Sequence, residues 1–174
     1  MTRSPCTVHF IALSTSSRRQ PTCDDDDVSE QIAVTEGVFT WPADDPRLIG
    51  SYFPESGVTV FPQATSCPKT SSRVVEQVLL PRRGTLWSWT IQGFLPKNPP
   101  YAGTESAKEF VPYGVGYVQL GDQVIVESRL TINDPEQMRI GMEMEMVIVP
   151  FAVDTQGREL LTYAFAPVTE GDHS

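Results

Sequence analysis

The sequence predicts a mainly β protein: an N-terminal degenerate ribbon of the rubredoxin type, followed by a small OB-fold β-barrel. Three observations predict it. The segment from Phe53 to Thr70 has the spacing of a zinc ribbon without its ligands. From Arg73 onward, runs rich in β-branched and aromatic residues alternate with turn signals. Helix signals reduce to one short turn, and glycines at 114 and 116 allow the strong bending of a small closed barrel. An open sandwich of similar strand count fits the same pattern.

In chain order, residues 1–30 predict a disordered tail. Ser and Thr dominate Ser14–Ser17, Arg18-Arg19 follow, and Asp24–Asp27 is a run of four carboxylates. Such a stretch buries too little apolar area to offset its ordering entropy. The carboxylate run reads as solvated charge rather than a metal site. Residues 31–50 predict a short helical or irregular lead-in, anchored by Trp41, Leu48 and Ile49.

Residues 51–72 form the ribbon. Phe53 with Ser56 and Cys67 with Thr70 make two x-x spaced pairs with ten residues between them, and Val58–Phe61 serves as the hairpin arm. A structural zinc needs four thiolate or imidazole ligands, and only Cys67 could serve. The segment must therefore stand on packing, and no metal is expected.

Residues 73–168 predict the barrel, and 169–174 a short tail. Val74–Leu80 and Gly84–Gln92 read as strands, and alternation within the second places Thr85, Trp87, Trp89 and Ile91 on one face. Gly121-Asp122 is a two-residue hairpin signal between Tyr113–Leu120 and Gln123–Leu130. Asp134 as N-cap, with Pro135 at the first position, opens one helical turn that stops before Gly141. Met142–Val149 alternates over its first half, with the Met stripe read as core, and Glu159–Phe165 closes the set.

Charge and cysteine usage narrow the function. The 174 residues carry 13 Lys and Arg against 22 Asp and Glu, a net charge of −9. That balance argues against nonspecific binding to nucleic acid or anionic membranes. Three scattered cysteines show no disulfide rhythm, which predicts a reducing cytoplasm. Phe10–Leu13 is too short for a signal sequence, and no run approaches the ~20 apolar residues of a membrane span.

Catalytic constellations are missing. The histidines are His9 and His173, near the two termini, so Cys67 and the serines lack a central base. Phe94–Phe110 is a long inter-strand stretch holding Lys97, Asn98-Pro99-Pro100-Tyr101 and Lys108, read as a docking element or an acyl-chain lid.

The ribbon spacing, the barrel opening Arg83-Gly84-Thr85-Leu86-Trp87-Ser88-Trp89-Thr90, Phe110–Leu120, Ile140-Gly141-Met142 and Tyr163–Pro167 occur in one order. Over residues 36–168 this resembles the zinc-ribbon/OB-fold family of acyl-CoA-associated proteins. The resemblance implies a non-catalytic accessory subunit of a thiolase or a thiolase-like steroid side-chain aldolase, helping to form its acyl-CoA channel. A MaoC-like hydratase is a further implied partner. CoA would be a shared ligand, with Arg82, Arg83, Lys97, Tyr101, Phe110 and Tyr113 as candidate contacts. The other reading of an OB-fold, a nucleic-acid-binding protein, meets the unfavourable charge.

Overall fold

The computed structural model describes residues 30–97, 106–122 and 124–168. Cys6, His9, Cys23, Asp24–Asp27, Tyr101 and His173 lie outside the described residues. Among the described residues nine strands follow one another: β1 Gln31–Ala33, β2 Ile49–Phe53, β3 Val58–Val60, β4 Glu76–Leu79, β5 Arg83–Gln92, β6 Tyr113–Leu120, β7 Val124–Arg129, β8 Glu143–Val153 and β9 Glu159–Pro167. They build a six-stranded sheet of order β1-β9-β8-β5-β6-β7 and a three-stranded sheet of order β3-β2-β4.

The large sheet curls into the predicted barrel. Strands β9-β8-β5-β6-β7 are antiparallel neighbours. The two ends meet through a parallel bridge between Leu130 and Phe165, with Thr131 N–H donating to the Phe165 carbonyl at 3.0 Å. A parallel closure of an otherwise antiparallel five-stranded sheet is the OB arrangement. Between the third and fourth barrel strands stands one 3₁₀ turn, Pro135–Gln137, where the Asp134 carboxylate accepts from Glu136 N–H at 2.9 Å.

Alternation decides which side chains go inside. In β7, Val124, Val126 and Ser128 point inward while Ile125, Glu127 and Arg129 point out. Leu86, Val118, Val126, Met144, Met146 and Phe165 are essentially sealed from water. Each such side chain contributes roughly 1.5–3 kcal/mol. Phe39, Leu48 and Leu80 join the same core, so the lead-in and the strap after β4 cover part of the barrel.

Four expectations change in detail. The lead-in holds no helix: β1 pairs in parallel with β9, and an isolated bridge joins Phe39 to Leu48. β4 lies inside the span predicted for the barrel yet pairs with β2 in the small sheet. Leu120 pairs with Val124, leaving three positions in the hairpin loop rather than two, with Gly121 at φ +60°. Finally, Trp87 and Trp89 do not share a face. A register shift between Leu86 and Ser88 inserts Trp87 as a bulge, which resets the alternation. Leu86 is then fully buried, Trp89 packs against the core, and Trp87 is 57% exposed.

The turn between β8 and β9 is organised by Asp154, whose carboxylate accepts from Gln156 N–H at 2.8 Å, Arg158 N–H at 2.9 Å and Arg158 Nε at 2.7 Å. The Arg158 backbone bond first, and then the Arg158 side chain and the Gln156 amide, hold this carboxyl below its usual range against the opposing effect of burial. A group with a lowered folded pKa stabilises above its unfolded value and loses that contribution as pH falls through the folded one. Asp154→Asn is therefore expected to lower the melting temperature near pH 6, with the difference from wild type closing below pH ~3.8. A difference that stays constant to pH ~3 in parallel melts would contradict this account.

Candidate functional site

The outer face of β6 and β7 carries a groove of about 670 Å³. Strand alternation places Tyr113, Val115 and Tyr117 of β6 beside Ile125, Glu127 and Arg129 of β7 on this face. The pairings Val115–Arg129 and Tyr117–Glu127 fix who sits beside whom. The opposite wall comes from elsewhere: Phe61 and Pro62 after β3, Phe151 of β8, and Thr162 and Tyr163 of β9. Phe61 meets the Tyr163 ring edge-on at 5.8 Å, joining the small sheet to the barrel.

Polar groups in the groove are few and oriented. Tyr117 O–H donates to Glu127 Oε2 at 3.0 Å, and Tyr163 O–H to the Glu127 carbonyl at 3.3 Å. The Glu127 hydrogen bond, then its charge, then burial raise the Tyr117 phenol above its ordinary value. Burial first, and then the Glu127 charge, do the same for Tyr163. The Arg129 guanidinium lies 4.5 Å from the Tyr113 ring centroid, and Phe110 packs edge-on against that same ring at 5.8 Å.

The predicted CoA contacts divide into two places. Tyr113 lines this groove, and Phe110 packs against its ring. Arg82 and Arg83 stand at the opposite end of β5, roughly 30 Å away along the strand. There they are already paired. Arg82 bridges Asp45 at 3.0 Å and Glu145 at 3.1 Å, and Arg83 reaches Glu145 at 3.4 Å. Hydrogen bonds from Arg47 and then Arg82 lower the Asp45 carboxyl below its ordinary value. Lys97 follows β5 by five residues and is exposed, while Tyr101 lies outside the described residues.

The ribbon positions do come together. Ser56 and Gly57 N–H both donate to the Phe53 carbonyl, and Ser71 N–H donates to the Cys67 carbonyl, so two tight turns face each other. Ser56 Oγ lies 3.2 Å from Cys67 Sγ. Burial pushes the Cys67 thiol up, but hydrogen bonds from the Ser56 and Thr70 hydroxyls and from the Lys69 and Thr70 backbone outweigh it and bring it to about 7. Phe53 is fully buried, and Cys67 is only 2% exposed. One thiol, two hydroxyls and a phenyl ring do not make a structural zinc site. Packing and hydrogen bonds tie the two turns together instead. Among the described residues no group of three or more His, Cys, Asp or Glu side chains is placed to hold a metal ion, and no helix is long and apolar enough to cross a membrane.

A second surface feature adjoins the groove. Trp87 projects from its bulge beside Ser88, which pairs with Tyr117. Tyr117 and Ile125 are 41% and 44% exposed on the same outer face. Hydrogen bonds from Gly141 N–H to the Leu86 carbonyl and from Leu86 N–H to the Met142 carbonyl bring Ile140, 71% exposed, beside the bulge. The outer surface of β5-β6-β7 thus carries an apolar strip that continues into the groove.

Sequence reasoning missed Glu127, Arg129, Phe61, Phe151 and Tyr163 as site residues. The alternation of β7 across the hairpin from Tyr113 and Tyr117 carried a signal for the first two. The other three come from distant segments, with no local sign that they face the same space.

Comparison with known proteins agrees with this architecture. Residues 77–149 match the family model described as the C-terminal OB-fold domain of ChsH2. A DUF35 domain-containing scaffold protein of Pyrococcus furiosus is 35% identical over 127 residues, covering 72% of this chain and 87% of the relative. A protein of the same description from Methanothermobacter thermautotrophicus is 31% identical over 117 residues, covering 66% and 82%. A solved structure described as the Ltp2-ChsH2(DUF35) aldolase superposes with a TM-score of 0.51 at 21% identity, over 70% of this chain and 84% of that one. At that identity the likeness is one of fold.

Proposed function

This chain belongs to the DUF35 OB-fold family, and from that premise we propose that it is a non-catalytic accessory subunit of a thiolase-like aldolase. The observation that carries this reading is the exposed apolar strip of Trp87, Tyr117 and Ile125 on the outer barrel face. A large aromatic pushed outward by a bulge, with two apolar neighbours, is a surface that gains by being covered. Two relatives are described as scaffold proteins, and the fold neighbour as a DUF35-containing aldolase. The scaffold description supports a role in assembly, and the aldolase description supports the class of partner.

The finer reading is that the partner is a thiolase or retro-aldolase of steroid or acyl-CoA degradation, and that this subunit walls part of the acyl-CoA channel. Phe110 and Tyr113 are then the better-placed candidates, as contacts for the acyl end of the thioester rather than for its phosphates, because Arg82 and Arg83 are spent on Asp45 and Glu145. A MaoC-like hydratase is the alternative partner, and resident zinc has no part in the proposal. Co-expression with the thiolase-like protein encoded nearest to it tests the reading. A stable complex that binds a CoA thioester is expected. Separate elution of the two chains, with no thioester bound to the mixture, would end it.

A further inference from the structure

Partner docking leaves unexplained why the groove holds a positioned cation. On this acidic chain, ion pairs occupy Arg47, Arg82, Arg83 and Arg158. Arg129 makes none among the described residues, although Glu127 projects from the same face two residues away. Its guanidinium is held against the Tyr113 ring instead. A stacked guanidinium keeps its in-plane N–H edge available, and that edge matches a carboxylate bidentately.

We propose that this groove binds a monoanionic carboxylate with a flat apolar body, an aryl or fused-ring acid, seating the carboxylate on Arg129 and the ring among Tyr113, Tyr117, Phe61 and Tyr163. The size fits, since small-molecule sites span about 300–1,000 Å³ and are mainly apolar with a few placed polar groups. The shape fits as well: aromatic rings line both walls, so a flat ligand gains offset or edge contacts on either side.

Charge selects a monoanion over a phosphorylated ligand. One guanidinium neutralises one charge, and the neighbouring Glu127 carboxylate and the net charge of −9 penalise any further ones. The two tyrosine hydroxyls add no anion donors, because both protons point at Glu127. Their oxygens offer lone pairs only. The inference goes beyond partner docking, since it concerns the chain alone.

Binding of 2-naphthoate and of uncharged 2-naphthamide to the purified full chain, followed by calorimetry at pH ~7.5, tests it. The acid is expected to bind at least about tenfold more tightly than the amide, and Arg129→Met to abolish that preference while Arg129→Lys keeps part of it. Equal affinity for acid and amide would overturn the proposal. So would an unchanged preference in Arg129→Met, or displacement of the acid by equal or lower concentrations of adenosine 3′,5′-bisphosphate, which would mark a polyanion site. Should Arg129→Met fail to fold, the acid–amide comparison on wild type decides alone. The partner takes no part in this assay, so its failure leaves aldolase docking standing, and loss of the complex leaves this result standing.

Discussion

Alanine at Gly114 is expected to destabilise the protein by about 3 kcal/mol, at or above the upper end of overpacking effects. A Cβ there would sit 2.3 Å from the Ile132 carbonyl oxygen and 3.2 Å from Leu130 Cβ. The first obstacle is backbone, which no rotamer change can move aside. It also belongs to the segment that closes the barrel. Gly114 accepts from Leu130 N–H at 2.8 Å, Leu130 bridges to Phe165, and Thr131 N–H donates to the Phe165 carbonyl. Pushing Ile132 away therefore strains the closure between β7 and β9 and loosens the fully buried Phe165 ring. Against a total stability of roughly 5–15 kcal/mol, this is a large fraction. The melting temperature should fall by about 10 °C, at roughly 2–4 °C per kcal/mol for a chain of this size. Gly93 is the control, because a Cβ there meets nothing within 4 Å. Urea or thermal unfolding that places Gly114→Ala within about 0.5 kcal/mol of wild type would show that the closure accommodates a methyl group.

The barrel was legible in the sequence because its signals are local. β-branched runs, the capped turn at Asp134-Pro135 and the alternation of β7 each speak within a few residues. The bulge at Trp87 was not legible: the alternation of Gly84–Gln92 is unbroken in sequence, and only the pairing with β6 shows the slip. The same holds for β4, whose residues look like a barrel strand but find their partner in β2. The candidate site was half legible. Phe110 and Tyr113 carry the family resemblance as candidate CoA contacts, and the structure sets Phe110 edge-on against Tyr113, which lines the groove. Arg82 and Arg83 attracted notice as basic residues on an acidic chain, but their counter-ions, Asp45 and Glu145, lie 37 and 63 positions away from Arg82. Ion pairing across such separations leaves no mark in the sequence.

Trp87→Ala is expected to weaken the proposed complex with a thiolase-like aldolase by about 30-fold or more, as truncation of an aromatic hot spot at about 2 kcal/mol or above does. The effect should fall on binding and not on folding. Trp87 sits on a bulge, 57% exposed, outside the buried core cluster. Its removal should leave the unfolding free energy within about 0.5 kcal/mol of wild type. Trp89 makes the opposite case two residues on. It packs against the core, so Trp89→Ala should cost about 2 kcal/mol of stability or more, somewhat below the fully buried range because the ring is only partly buried. The pair separates two explanations that a single mutant would confuse. A docking strip requires that Trp87→Ala dissociates the complex while the isolated subunit keeps its unfolding curve, and that Trp89→Ala shifts the curve. Tyr117 and Ile125 lie on the same outer face and also line the groove. A partner seated on Trp87 would thus close one side of the groove and place its own residues against whatever occupies it. If Trp87→Ala co-purifies with undiminished partner, the outer barrel face is not the interface, and the covering of the groove would have to come from elsewhere.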